Sequence, residues 1–301
     1  MFSNVLTGVD GQSGGRDAIA LAKQLAAPRA RFVLAHICGG NWTLDPGGEI
    51  ALAVEAKGAD QLLSQERDAT SLDAELVAYS AQSCGRGLHE LAERDHADLL
   101  VVGSSKRGPF GRVLMGDQTR ASLNGAPCAV AVAPSGYATS SHALTKLGVG
   151  YDRSPESKLA LAAARELAAR HGSAISALSV VSLQRIPVGG GTIPGDYWPE
   201  VVRETSHEQE RMSALDGVHG KAIDGLPGEE LARFGDEVDL LIIGSRGYGP
   251  LGRLVHGSTS NHLARHAHCP LLILPRAVSV DDPAPARADA YGVEPTAGVG
   301  N

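Results

Sequence analysis

The sequence predicts an α/β protein built as two tandem, doubly wound domains. Two observations carry this reading. One block of motifs occurs twice in the same order, and within each copy short apolar runs alternate with helix-forming segments. The repeat is clearest in Gly108-Pro-Phe-Gly-Arg-Val-Leu-Met-Gly116 and Gly249-Pro-Leu-Gly-Arg-Leu-Val-His-Gly257. Before it, Ala97-Asp-Leu-Leu-Val-Val-Gly103 matches Val238-Asp-Leu-Leu-Ile-Ile-Gly244; after it, Cys128-Ala-Val-Ala-Val-Ala-Pro134 matches Cys269-Pro-Leu-Leu-Ile-Leu-Pro275. Strand, loop, helix and strand kept in register over half the chain indicate duplication. A length of 301 residues accommodates two cores, since one core rarely grows beyond roughly 250 residues.

The elements follow in chain order. Apolar runs such as Phe32 to Ile37, Leu99 to Val102 and Ile175 to Val181 suit strands buried on both faces of a parallel sheet. Asp10 and Asp152 end the first strand of each half. The best-specified helix runs from Pro155 to His171, with Ser154 as N-cap, Pro155 at its first position and Gly172 just past its end. Strands alternating with helices place a ligand site beyond the carboxyl ends of the strands, where the first-strand aspartate and the Gly-rich loop both fall. The Ser-, Ala- and Thr-rich stretch from Ser135 to Thr145 reads as the linker. The expected boundaries are residues 1–138 and 144–276, with 277–301 as a disordered tail containing Asp281-Asp-Pro-Ala-Pro-Ala.

Composition excludes several classes. Apolar residues at 43% and charged residues at 20% are globular values. A formal net charge of −7 lacks the cationic surface that sequence-independent nucleic-acid binding needs. No apolar run approaches a membrane span and no leader segment is apparent, so a soluble cytoplasmic protein without membrane partners is expected. Cys38, Cys84, Cys128 and Cys269 form no CxxC pair, which points to reduced, mostly buried thiols and away from zinc or disulfides.

The chemistry sits after the fourth strand of the second half. Gly244-Ser-Arg-Gly247 is followed, nine residues on, by Gly257-Ser258-Thr259-Ser260, which opens a helix reaching His266. Glycines admit close backbone approach, and a helix start with hydroxyls offers unpaired N–H groups and a dipole that favours anions. This Gly-x-x-Gly-x9-Gly-Ser pattern, in a half whose first strand ends in Asp152, resembles the ATP-binding branch of the universal stress protein family. The resemblance covers both halves. It implies an adenine nucleotide alpha hydrolase-like fold with five parallel strands per domain in the order 3-2-1-4-5. It further implies ATP, with or without Mg²⁺, held at the phosphates by Gly244, Gly247, Gly257, Ser258 and Thr259, and at the nucleoside by Asp152 and Val180. Arg246, inside the short glycine segment, and His256 and Arg253 beside the loop are additional candidates for phosphate contact. The family's last strand mediates dimers, which implies that Cys128 to Ala133 and Leu271 to Leu274 pair with each other, and that two chains then form a homodimer. The expected role is a nucleotide-responsive stress regulator with an unidentified protein partner, not a dedicated enzyme.

The first half keeps Asp10, Gly103 and Gly116 but departs at Lys106, where the other half has Gly247, and at Asp117, where it has Ser258. A carboxylate about 4 Å from a phosphate costs on the order of 4 kcal/mol at an effective dielectric near 20. Lys106 and Asp117 are therefore expected to fill the first site internally. Rival motifs are weaker. Gly247-Tyr-Gly-Pro-Leu-Gly252 spells a dinucleotide fingerprint but follows a late strand without the acid expected about twenty residues on. Ser13-Gly-Gly-Arg-Asp-Ala18 looks like the SGGxDS loop of ATP pyrophosphatases, an adenylylating alternative, yet ends in Ala18. A third alternative is a pure dimerisation module without nucleotide. No Walker loop occurs, and His262 and His266 lack the intervening glutamate of a zinc protease.

Overall fold

The structure, a computed structural model, describes residues 1–38, 48–104, 124–139, 143–182, 197–245 and 257–275. The first half contains β1 (Phe2–Gly8), α1 (Ser13–Leu25), β2 (Ala26–Cys38), α2 (Gly48–Thr70), β3 (Glu75–Ser80), α3 (Cys84–Arg94), β4 (Leu99–Gly103) and β5 (Ala129–Ala133). The second contains β6 (Lys146–Gly150), α4 (Pro155–His171), β7 (Ala174–Ser182), α5 (Tyr197–Ser213), β8 (His219–Gly225), α6 (Pro227–Phe234), β9 (Leu240–Gly244), α7 (Ser258–His266) and β10 (Leu271–Leu274).

All strands join one ten-stranded sheet in the order β3-β2-β1-β4-β5-β10-β9-β6-β7-β8. Each half thus has the order 3-2-1-4-5, parallel throughout, and the halves meet where β10 pairs antiparallel with β5. The pairing sets Leu271 against Val132 and Ile273 against Val130, all fully buried. Two apolar edges that would each need covering are satisfied by one another within the chain. On one face a single core runs across this junction, from Val5 and Leu21 through Leu144 to Leu161 and Leu272.

The halves share their internal clamps. Asp98, just before β4, accepts from the amides of Ser3 (2.7 Å) and Asn4 (3.0 Å); Asp239, just before β9, accepts from those of Thr145 (2.7 Å) and Lys146 (2.8 Å). The duplicated Asp-Leu-Leu motif therefore ties the start of the first strand to the fourth in each half. Helix α4 is specified as expected: Ser154 Oγ accepts from the Ser157 amide at 3.1 Å, Pro155 opens the helix, and Gly172 closes it in the left-handed conformation. Cys38, Cys128 and Cys269 are buried and Cys84 is half-buried, none of them in a disulfide. Burial pushes the Cys128 and Cys269 thiols up to about 12.

Two expectations need correction. The strands end at Gly8 and Gly150, so Asp10 and Asp152 lie two residues beyond them; each folds its carboxylate back onto an amide two residues on, Gln12 (3.0 Å) and Ser154 (3.1 Å). The stretch read as a plain linker is packed: Tyr137 and Leu144 are 3% and 2% exposed and belong to the shared core. Asp17 of α1, itself buried, accepts from the amides of Gly136 (2.8 Å) and Ala138 (2.7 Å) and clamps the stretch to the helix. The proposed tail after residue 276 lies outside the described residues. Replacing Asp17 by Ala removes the acceptor shared by the amides of half-buried Gly136 and exposed Ala138, so unfolding in urea should show a loss of about 1–3 kcal/mol.

Candidate functional site

Strands β6, β7 and β9 end around one cavity of about 280 Å³ in the second half, at the position that the topology reserves for ligands. Its wall includes Asp152, Val180, Gly244, Gly257, Ser258 and Thr259, so six residues singled out in the second-half sequence meet at one place. Arg246, Gly247, Arg253 and His256 lie outside the described residues, as do Lys106, Gly116 and Asp117 of the first half.

Each wall residue arrives there for a local reason. Asp152 is exposed at the rim, on the turn between β6 and α4, with one carboxylate oxygen held by the Ser154 amide. Val180, half-buried, sits near the end of β7, and the fully or largely buried Leu178, Leu231 and Ile243 form the apolar floor. Tyr151, fixed by its amide to the Leu178 carbonyl at 2.9 Å, adds an aromatic side chain to the lining. These apolar residues carry no motif. Only the alternation of buried strand positions marks them in the sequence, and it does not say which meet beyond the strand ends.

Gly244 and Gly257 differ in what they do. A Cβ on Gly244 would lie 2.5 Å from Glu156 Cβ and 2.6 Å from its carbonyl carbon, because the first turn of α4 is pressed against the end of β9. Gly103 is in the same situation: a Cβ would stand 2.1 Å from the Gly14 carbonyl oxygen at the start of α1. Both glycines, expected to admit a phosphate, are thus explained by helix packing. Gly257 is not. It is the N-cap of α7 with φ −78°, and a Cβ there meets only Ser260 Oγ at 3.9 Å among the described residues. Neither its backbone conformation nor any described neighbour requires a glycine, and Gly257 lines the cavity.

Ser258 therefore does not cap the helix but begins it, exposed, with Thr259 half-buried beside it. With no side-chain cap, the first amides of α7 keep donor capacity and the positive end of the helix dipole for an acceptor in the cavity. At the other end of α7, His262 and His266 stack with ring centroids 4.2 Å apart; burial first, and the neighbouring His266 second, hold the His262 imidazole below its ordinary range.

In the first half Asp10 and Gly103 hold the corresponding places, and Ile37 stands where Val180 does, as the matching amide-to-carbonyl bonds from Val9 to Ala35 and from Tyr151 to Leu178 establish. Ser13 to Asp17 form the first turns of α1 and do structural work: the aspartate binds the linker, a Cβ on Gly14 would lie 3.0 Å from the Ser104 carbonyl, and one on Gly15 would lie 3.1 Å from Val9. A larger groove of about 600 Å³ lies between the halves, beside Met1, Cys128, Leu159, Glu166 and Pro275, and contains none of the predicted site residues.

Two successive stretches, residues 1–134 and 144–275, match the model of the universal stress protein family. The chain belongs to this family. A universal stress protein of Mycobacterium tuberculosis is 29% identical over 246 residues, covering 78% of each chain. One from Thermus aquaticus is 30% identical over 135 residues, which are 95% of its length but 42% of this chain, so it corresponds to a single half. The fold is that of a solved universal stress protein from Archaeoglobus fulgidus, with a TM-score of 0.64 at 16% identity over 91% of this chain and 99% of that one.

The two glycines make separable predictions in denaturant unfolding. Gly244→Ala should cost at least the ~1–3 kcal/mol typical of core overpacking. Gly257→Ala should cost no more than ~1 kcal/mol, the difference between a good and a poor N-cap.

Proposed function

We propose that this universal stress protein binds ATP in its second half and serves as a nucleotide-responsive regulator, by binding and not by turnover. The observation that carries the reading is Gly257, a glycine that neither its φ nor any described neighbour requires, set at a helix start without a side-chain cap and lining a cavity of about 280 Å³. A backbone that gains nothing structural from lacking a side chain there is suited to close approach by an anion.

The donor set fits a nucleotide. The α7 amides at Ser258 and Thr259, with their hydroxyls, would take the phosphates, together with Arg246 and Gly247 on sequence grounds. The Asp152 carboxylate suits ribose hydroxyls, and the floor of Leu178, Val180, Leu231 and Ile243 suits an adenine ring. Mg²⁺, when bound with ATP, would neutralise phosphate charge. Occupancy would change charge and shape around the start of α7, which is what a partner protein would read. In the first half, Asp10, Gly103 and Gly116 are kept, but Lys106 and Asp117 stand against a second nucleotide. Work in the cytoplasm fits a chain in which no helix among the described residues is long and apolar enough to cross a membrane. A homodimer would need a surface other than β5 and β10, which are paired within the chain.

Calorimetric titration of the full chain with MgATP should give one site per chain. The double variant Gly257→Ala with Asp152→Ala should weaken it by tenfold or more, about 1.4 kcal/mol, with its unfolding midpoint near that of the parent. Full affinity in that variant would refute the site.

A further inference from the structure

We propose that Arg153 and Glu208 form a positioning pair that holds the nucleoside end of the second-half site; the inference rests on the nucleotide-binding reading above. Glu208 is a glutamate of α5 that is only 5% exposed. Its Oε1 accepts from Ser179 Oγ at 3.1 Å, and its Oε2 lies 3.1 Å from Arg211 Nη1 and 3.4 Å from Arg153 Nη2. Ser179 immediately precedes Val180, and Arg153 immediately follows Asp152. One buried carboxylate thus fastens both chain segments that carry the nucleoside-facing residues, the end of β7 and the turn after β6.

The comparison with the first half shows that this tie is not a requirement of the fold. That half also buries a glutamate on its second helix, Glu66, which is 3% exposed, but Glu66 takes Arg16 of α1 as its partner, with Nε 2.8 Å from Oε2. At the place of Ser179 stands His36, whose Nδ1 meets the Val9 carbonyl at 2.8 Å instead of the glutamate. At the place of Arg153 stands Gly11. Both residues have left-handed backbone, φ 72° for Gly11 and 67° for Arg153. That conformation suits glycine and is unfavourable for an arginine. The second half therefore keeps a residue that its own backbone disfavours, and the guanidinium of that residue is what reaches Glu208. Strain retained at the turn beside a ligand cavity, where the matching turn of the first half has a glycine, is the mark of a positioning device.

The test measures ATP and AMP affinity and the thermal midpoint for full-length Arg153→Gly, Arg153→Lys and Glu208→Gln, with Glu66→Gln as the first-half control. Arg153→Gly should leave the midpoint unchanged or higher, yet weaken both nucleotides by about tenfold, the low end of what loss of an orienting outer contact costs. Glu208→Gln should weaken both in the same proportion, Arg153→Lys should recover most of the loss, and Glu66→Gln should not alter affinity. Equal losses for ATP and AMP locate the effect at the nucleoside. Parental affinity in Arg153→Gly and Glu208→Gln, a loss confined to ATP, or an equal loss in Glu66→Gln would overturn the proposal while leaving nucleotide binding intact. Failure of the parent chain to bind either nucleotide would overturn both.

Discussion

The antiparallel pairing of β5 with β10 is the constraint on which the rest of the molecule depends. Each half alone would present an apolar last strand at an open edge, and Val130, Val132, Leu271 and Ile273 have no polar alternative to burial. Joining the two edges yields one continuous sheet and one core across the junction. Because the joint is antiparallel, the carboxyl ends of the two sets of strands point in opposite directions. The places where each half can hold a ligand are therefore at opposite borders of the sheet, and neither half completes the other's site. A duplicated fold arranged this way frees one site to diverge without distorting the other.

The divergence follows that freedom. Both halves keep a structural frame: Asp98 and Asp239 tie the first and fourth strands, Gly103 and Gly244 admit the first helix, and a buried glutamate sits on the second helix. What differs lies around the ligand end and the junction. Gly11 is set against Arg153, His36 against Ser179, Lys106 against Gly247 and Asp117 against Ser258. The first half spends Asp17 on clamping the segment that leads into the second, a role with no counterpart in the exposed Leu159 of α4. On the proposed reading, only the second half combines frame and ligand chemistry.

Much of this was legible in the residues. The repeat established two α/β halves, buried apolar runs located the strands, and Ser154, Pro155 and Gly172 specified α4 at both ends. Asp152, Val180, Gly257, Ser258 and Thr259, named from the loop motif together with the family resemblance, line one cavity. The sequence is ambiguous where a residue type serves two purposes. Gly244 and Gly103 read as phosphate glycines, and the close approach seen at both is that of a helix. Likewise a Ser-, Ala- and Thr-rich stretch read as linker because Tyr137 and Leu144, its buried residues, are too few to form a periodic pattern. Arg153 and Glu208 were not legible at all: 55 residues apart in the chain, they become a pair only when α5 is laid against the turn after β6.

The account stands on one nucleotide site per chain, in the second half. Native mass spectrometry of the full-length protein with MgATP counts bound nucleotide directly. The account predicts a single bound adenine nucleotide at saturation, with Gly257→Ala and Asp152→Ala together requiring at least tenfold more nucleotide to fill it. Two bound nucleotides of similar affinity, or one bound with parental affinity in that variant, would contradict it.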